Sequence, residues 1–327
     1  MSPTRRQAAV GLLAAGATGL SGGVGLSAGR ALASEPDDPA PVIEQPDEAD
    51  TAETELATRE SAHEHMLAPV SINGRGPFNF LLDTGANVSC VSNRLADQLA
   101  LRAVDSAPVH TLVGVRHRPI VHLDNLQVGP RERRNVKAPA LPIKGAEVDG
   151  VLGIDWLKGQ RLVLDFKGRR MLIVESRSDR NEPGRTVVVP ARRRKGQLTI
   201  VDAELSGRRI SAIIDSGAQG TLCNGKLRDL VRAQEKRNGL AQPPQTVRME
   251  TLAGEPFYGE AVFLPFLRLG GLHLGNVPVT CADMHVFRIW NLENSPALVL
   301  GIDLLSQFEQ VALDFGRSRV RFDFRDV

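Results

Sequence analysis

The stretch FNFLLDTGA, residues 78–86, has a counterpart in ISAIIDSGA, residues 210–218. In both stretches an apolar run predicts a buried strand, and the aspartate at its end begins a tight turn in which glycine lets the backbone reverse closely. A single Asp-Thr-Gly or Asp-Ser-Gly is ordinary turn chemistry. Two of them at equivalent positions of a repeated unit predict that Asp83 and Asp215 face each other across a pseudo-twofold axis.

The repetition extends well beyond the two aspartate turns. Three further elements recur in the same order, and the spacing between copies only increases, which indicates a duplication with insertions in the second copy. The chain therefore consists of two related units with a boundary near residue 180. The paired elements are Thr111–Gly114 with Thr251–Gly254, Leu126–Gly129 with Leu272–Gly275, and Leu152–Asp155 with Leu300–Asp303.

The composition favours an all-β fold. Only 4% of the 327 residues are aromatic, whereas 31 glycines and 20 prolines punctuate short apolar runs, as expected for many strands joined by tight turns. A short helix is predicted after each aspartate turn, around Leu95 and around Leu227, and another at each Leu-Gly-Ile-Asp. In this interpretation Asp155 and Asp303 cap the latter helices.

The sequence predicts four segments. Residues 1–33 read as an export signal, because Arg5 and Arg6 precede a Gly/Ala-rich apolar stretch and a small-residue cleavage site, and the pair resembles a twin-arginine signal. Residues 34–60, which are acidic and proline-rich, read as a disordered linker or pro-segment. Residues 61–180 form the first lobe and residues 181–327 the second. We exclude the signal from the expected fold.

Charge and targeting limit the surroundings and partners. Without residues 1–33, 37 basic residues face 38 acidic ones, so no basic excess indicates nucleic-acid binding. The protein is expected to be exported, most simply to the periplasm, with secretion or retention by the signal as alternatives. No stable membrane insertion is expected once the signal is removed.

These motifs resemble the aspartic proteases, and specifically the retropepsin-like lobe, doubled in one polypeptide as in pepsin-like enzymes. The resemblance spans residues 63–327 and implies two β-lobes with a central active-site cleft. It implies that Asp83 and Asp215 are the catalytic dyad, and that Thr84 and Ser216 hydrogen-bond across the interface. Further positions follow: Gly85 and Gly217 would shape the loops, Gly114 and Gly254 would lie in flap hairpins, and the Leu152-Gly153 and Leu300-Gly301 elements would pack beneath the turns.

The chemistry implied is peptide-bond hydrolysis. Two carboxylates held close share one proton, so that one activates water as a base and the other acts as an acid. No metal or other cofactor is expected, and the histidines His63 and His65 make no metal site by themselves. Ala86 and Ala218 stand where pepsin-like enzymes place a hydroxyl donor, which predicts an activity optimum closer to neutral pH.

Alternatives remain at this point. One chain supplies both aspartates, so a monomer acting on an extended peptide or protein is expected. A non-catalytic peptide-binding module on the same fold is the rival interpretation, although a binding groove needs neither aspartate.

Cys90 and Cys223 are better interpreted as buried structural residues than as nucleophiles, and pairing among the three cysteines is left open.

Overall fold

The computed structural model of the chain describes residues 9–10, 13–15, 53–60, 66–157, 159–178, 185–194 and 197–325. Strands dominate, and the few helices are short. The first lobe contains β4 (Arg59–Glu60), β5 (Met66–Ile72), β6 (Arg75–Leu82), β7 (Cys90–Ser92), α1 (Asn93–Gln98), β8 (Ala103–Thr111), β9 (Val115–Val128), β10 (Arg131–Leu141), β11 (Gly150–Leu152) and a 3₁₀ turn (Ile154–Leu157).

The second lobe repeats this order, as the sequence predicts. It contains β15 (Gln197–Leu205), β16 (Arg208–Ile214), β17 (Leu222–Cys223), α2 (Gly225–Arg237), β18 (Gln245–Thr251), β19 (Pro256–Leu269), β20 (Leu272–Cys281), α3 (His285–Ile289), β21 (Ala297–Leu300) and α4 (Ile302–Leu305).

Each lobe is a closed six-stranded barrel. The first has the strand order β5-β6-β11-β7-β10-β9 and closes through antiparallel pairing of β9 with β5. The second has the matching order β15-β16-β21-β17-β20-β19 and closes through β19 with β15. The prediction of an all-β fold with two duplicated lobes and short helices is confirmed.

An antiparallel sheet joins the two lobes. It takes β12 (Arg161–Asp165) and β13 (Arg170–Val174) from the first lobe, and β22 (Gln310–Asp314) and β23 (Arg319–Asp323) from the second, with β14 (Thr186–Arg194) and β3 (Thr54–Ala57) at its edges. Pairing of β12 with β22 crosses between the lobes over five residue pairs. The duplication is therefore built into one continuous backbone framework.

Alternate residues of the strand before each aspartate turn face two different apolar clusters. In β6, Phe80 and Leu82 pack into the large cluster inside the barrel, whereas Leu81 packs into a smaller cluster. In β16, Ile214 packs into the large cluster and Ile213 packs into a smaller cluster of the second lobe. Because both faces of these strands are covered, the apolar runs are continuous rather than alternating.

Part of the stretch predicted as a linker is structured. Thr54–Ala57 pairs with β13, Leu56 is buried, and Thr54 accepts a hydrogen bond of 2.7 Å from the buried guanidinium of Arg131. The four-residue alternation is too short to stand out from its acidic surroundings in the sequence. Residues 34–52 lie outside the described residues.

Two short strands lie within the predicted export signal, which we expected to take no part in the fold. β1 (Ala9–Val10) pairs in parallel with β18, and β2 (Leu13–Ala15) pairs antiparallel with β8. One backbone segment therefore contacts a hairpin of each lobe. Among the described residues, no helix has both the length and the apolar character needed to cross a membrane.

Candidate active site

The two aspartate turns are positioned by the same device in each lobe. Asp83 follows β6, and its backbone N–H donates to the carbonyl of Leu152 at 2.9 Å. Asp215 follows β16 and donates to Leu300 at 3.0 Å. The Leu-Gly elements therefore lie next to the turns. A side chain on Gly153 would collide with the carbonyl of Ala86, so glycine allows this close packing.

Thr84 and Ser216 bind the two turns together. The hydroxyl of Thr84 donates to the carbonyl of Ile214 at 3.0 Å and accepts from the N–H of Ser216 at 3.0 Å. The hydroxyl of Ser216 donates to the carbonyl of Leu82 at 2.8 Å and accepts from the N–H of Thr84 at 3.1 Å. Four buried hydrogen bonds thus hold the lobes together at the aspartates, in the arrangement that the resemblance implied.

The carboxyl groups of Asp83 and Asp215 lie face to face and are both fully buried. Oδ1 of Asp83 accepts hydrogen bonds from the N–H groups of Gly85 and Ala86 at 2.7 and 3.1 Å, and Oδ1 of Asp215 accepts one from Gly217 at 2.8 Å. Neither Oδ2 receives a hydrogen bond from another group. A Cβ at Gly217 would overlap the carboxyl of Asp83, so glycine is required there for the carboxyl groups to approach.

The environment favours a shared proton. Burial is the largest cause that raises the pKa of Asp83 well above its ordinary value, and the charge of Asp215 and a hydrogen bond to it raise that pKa further. Burial also raises the pKa of Asp215 to about 7, although its hydrogen bonds to Asp83, Gly217, Ala218 and Gly85 oppose the shift. The pair titrates as one unit, and both carboxyls hold a proton more firmly than an isolated aspartate does.

A second layer of side chains braces each turn, and the sequence reading missed it. Ser89 donates to Asp155 at 2.9 Å and accepts from the N–H of Gly153 at 3.1 Å. In the other lobe, the hydroxyl of Thr221 donates to Asp303 at 2.7 Å and accepts from the N–H of Gly301 at 3.1 Å. The repeat itself contained the signal, because these hydroxyl residues occupy equivalent positions after the aspartates.

The interpretation of Asp155 and Asp303 as helix caps is therefore wrong. The N-cap of α4 is Gly301, which makes no side-chain cap bond, while the carboxylate of Asp303 accepts from both the N–H and the hydroxyl of Thr221. Burial raises the pKa of Asp155, and the nearby Arg133 opposes that shift. Both carboxylates stabilise the turns from behind, and Asp303 also accepts from the N–H of Leu304 in the first turn of α4 at 2.8 Å.

Gly114 and Gly254 lie in hairpin turns, as predicted for flaps. Gly114 joins β8 to β9 and accepts from the N–H of Thr111 at 2.7 Å, while Gly254, with a φ of 78°, joins β18 to β19. Leu112, at the tip of the first hairpin, is fully buried in an apolar cluster of the second lobe. Leu252, at the tip of the second, packs against a cluster of the first lobe. Each hairpin thus crosses the lobe boundary.

The cysteines have structural positions. Cys223 and Cys281 form a disulfide that links β17 to β20, and Cys90 is free and buried. Burial, followed by the charge of Asp83, raises the pKa of the Cys90 thiol well above its ordinary value. A thiol in this state is a poor nucleophile.

In the described part of the chain no three His, Cys, Asp or Glu side chains cluster as metal ligands, and His63 and His65 lie outside it.

Two barrels that meet at buried Asp-Thr-Gly and Asp-Ser-Gly turns, each with a hairpin over the junction, define the architecture of an aspartic protease. The profile of a family described as gag-polyprotein putative aspartyl protease matches residues 68–159, and that of a family described as aspartyl protease matches residues 201–304. No curated protein matches the sequence significantly. The chain belongs to the retropepsin-like aspartic protease family, with two lobes in tandem.

Proposed function

We propose that the protein is an aspartic endopeptidase in which Asp83 and Asp215 share one proton and activate a water molecule. The observation that best supports this proposal is the buried carboxyl pair. Beyond the pair itself, the Oδ2 atom of each carboxyl has no hydrogen-bond partner among the described residues. Burying two acids without pairing each to a cation is costly. A site that tolerates this cost is a candidate for catalysis.

The proposed roles follow from the environments. Asp83, whose pKa is raised by burial, by the charge of Asp215 and by a hydrogen bond to it, is proposed as the acid that hydrogen-bonds to the scissile carbonyl and later supplies a proton to the leaving amine. Asp215, with a pKa of about 7, is the base that takes a proton from water. Hydrolysis then needs Asp215 ionised and Asp83 protonated, which places the optimum near neutral pH rather than at gastric pH.

The proposed substrate is an extended peptide, and the pairing of β1 and β2 supports this. Val10 is opposite Thr251 and Leu13 is opposite Thr111, while Ala9 and Ala14 are opposite Glu250 and His110. These partners are equivalent positions of the two hairpins. The registers of β1 and β2 are therefore equivalent on the two hairpins, as expected for extended peptide that pairs with both.

The proposed location is outside the cytoplasm, most simply the periplasm, and it rests on the sequence of residues 1–33. The proposed form is a monomer, because one chain provides both aspartates and both hairpins. A mature enzyme with an optimum near neutral pH fits that compartment.

Cleavage of an unfolded protein mixture tests the proposal. The protein, with Asp83→Asn and Asp215→Asn variants, is incubated with the mixture between pH 3 and 8, with and without a statine-type peptide inhibitor. Asp97→Asn, on the exposed face of α1, is the control. We expect cleavage that is strongest near neutral pH, is blocked by the inhibitor, falls at least about a thousandfold in either dyad variant, and is unchanged in the control.

Three results would count against this function. Cleavage that survives either dyad substitution would place the chemistry elsewhere. An optimum below about pH 3 would contradict the raised pKa values. Tight peptide binding without cleavage, unaffected by Asp215→Asn, would favour the non-catalytic binding module.

A further inference from the structure

Each hairpin is held by a side-chain contact with the opposite lobe, at equivalent positions. In β18, Glu250 precedes Thr251 and lies 3.3 Å from the ammonium group of Lys144, which follows β10. In β8, His110 precedes Thr111 and contacts His285, which follows β20 at the start of α3. We call these contacts the Lys–Glu clasp and the His–His clasp.

The His–His clasp is a direct hydrogen bond between two imidazole rings. Nδ1 of His110 lies 3.0 Å from Nε2 of His285, and the ring planes are stacked within 10° at a centroid distance of 5.2 Å. Such a bond needs a proton on one of these nitrogens and a lone pair on the other. Two imidazolium rings cannot form it and repel each other.

The charges around the His–His clasp do not compensate for a second proton. Burial, the charge of His110 and that of Arg288 on α3 all lower the pKa of His285, and no described carboxylate contributes to it. On β9 the residue opposite His110 is the uncharged Val115, and the neighbouring Arg116 is bonded to Glu255 at 2.8 Å. A clasp in which both rings are protonated is therefore unstable.

We propose that His110 and His285 form a pH-sensitive clasp that holds the first-lobe hairpin closed at neutral pH and releases it in mild acid. The Lys–Glu clasp joins groups of opposite charge and contains no imidazole. Acid therefore loosens one hairpin and leaves the other in place. Access to the proposed dyad would then change on one side of the cleft only.

The size of the effect follows from linkage. A ring whose pKa is lower in the clasp than its ordinary 6.5 favours the closed hairpin fully above pH 6.5, and this preference decreases as the pH falls towards the lowered pKa. If the ring stays neutral in the clasp at pH 5.5, the open form gains by at most about tenfold relative to pH 7.5. We expect a change of several-fold, up to this limit.

Hydrogen exchange of the full chain, read by mass spectrometry at pH 7.5 and 5.5 after correction for intrinsic exchange rates, tests the proposal. The readout is exchange in Val109–Thr111 divided by exchange in Met249–Thr251, so that the second hairpin is the internal reference. We expect this ratio to increase several-fold at pH 5.5 in the wild type. It should stay constant in the double variant His110→Gln/His285→Gln, which has no imidazole to protonate. The response should be smaller in each single variant, which keeps one ring and so cannot form an imidazolium pair.

Two controls sharpen the comparison. His273→Gln, on β20 and stacked on Phe266, should keep the full pH response. Lys144→Gln should lower the ratio equally at both pH values, because it frees the reference hairpin without adding a titrating group.

Equal ratios at both pH values in the wild type would overturn the proposal, as would a pH response of wild-type size in the double variant. Protection of Met249–Thr251 at pH 7.5 reports whether each His→Gln variant is folded, and a response of wild-type size in both single variants would overturn the proposal equally. The measurement uses no substrate. Loss of the clasp is therefore distinguishable from failure of the proposed catalysis.

Discussion

Replacing Asp215 by Asn should stabilise the protein, and the gain should increase with pH. Asn resembles the protonated carboxyl in shape but cannot ionise. The pKa of Asp215 is about 7 in the folded chain and about 3.9 in an unfolded one. Since the folded state binds this proton more tightly, the stabilisation by protonation is complete below about pH 4 and is lost as the pH increases towards 7.

The magnitude follows from the difference of roughly three pKa units. At about 1.4 kcal/mol per unit, ionised Asp215 costs the folded state up to about 4 kcal/mol. Between pH 5 and pH 7 the wild type should lose about 2 kcal/mol of unfolding free energy relative to Asp215→Asn. Burial and the charge of Asp215 also raise the pKa of Asp83.

Urea unfolding at pH 5, 6 and 7, followed by circular dichroism, measures this difference. The exposed Asp97→Asn variant serves as control and should follow the wild type at every pH. Parallel curves for the wild type and Asp215→Asn would refute the reasoning, because Asp215 would then titrate in the folded chain as it does in water. A variant less stable than the wild type at pH 7 would refute it equally.

Three further outcomes are expected. Gly217→Ala should abolish both hydrolysis and inhibitor binding, because a Cβ there overlaps the carboxyl of Asp83. Gly275→Ala should do neither, because a Cβ there lies 3.9 Å from its nearest neighbour, the carbonyl oxygen of Pro265. Thr84→Ala should cost about 2–4 kcal/mol of unfolding free energy in urea titrations, because it leaves a buried N–H and a buried carbonyl unpaired, and Thr84→Ser should recover most of it. Deletion of residues 1–52 should speed hydrolysis about tenfold in initial-rate assays. The deletion removes β1 and β2, which compete with substrate for the hairpins at an effective concentration on the order of millimolar. An unchanged rate would contradict that competition.

The fold could be predicted to the level of its duplication because the same physical constraints act twice. Few residue types fit each turn. The strand before it is covered on both faces, an acid ends the strand, and a glycine must allow close backbone packing. The repeated Asp83 and Asp215 turns therefore stand out. The hairpins at Gly114 and Gly254 came from the family resemblance and not from these constraints.

The contacts that cross between copies could not be predicted, because a repeat shows which positions are equivalent but not which of them touch. Nothing in the sequence brings His110 to His285 or Arg116 to Glu255. The pairing of Ser89 with Asp155 could have been found, since both recur in the second copy, but an acid beside a short helix was taken for a cap. The choice of Cys281 as the partner of Cys223 depends on strand neighbours that are 58 residues apart.

The fusion of the two lobes has a consequence for how a substrate is oriented. A cleft with exact twofold symmetry presents identical groups to both ends of a peptide, so a chain bound in one direction and its reverse are the same complex. Here the two halves differ, with Arg116 opposite Glu255 and a histidine clasp opposite a Lys–Glu clasp. For the peptide substrate proposed above, the two directions become distinct states of unequal energy, so the protein would distinguish the amino end of a bound chain from its carboxyl end.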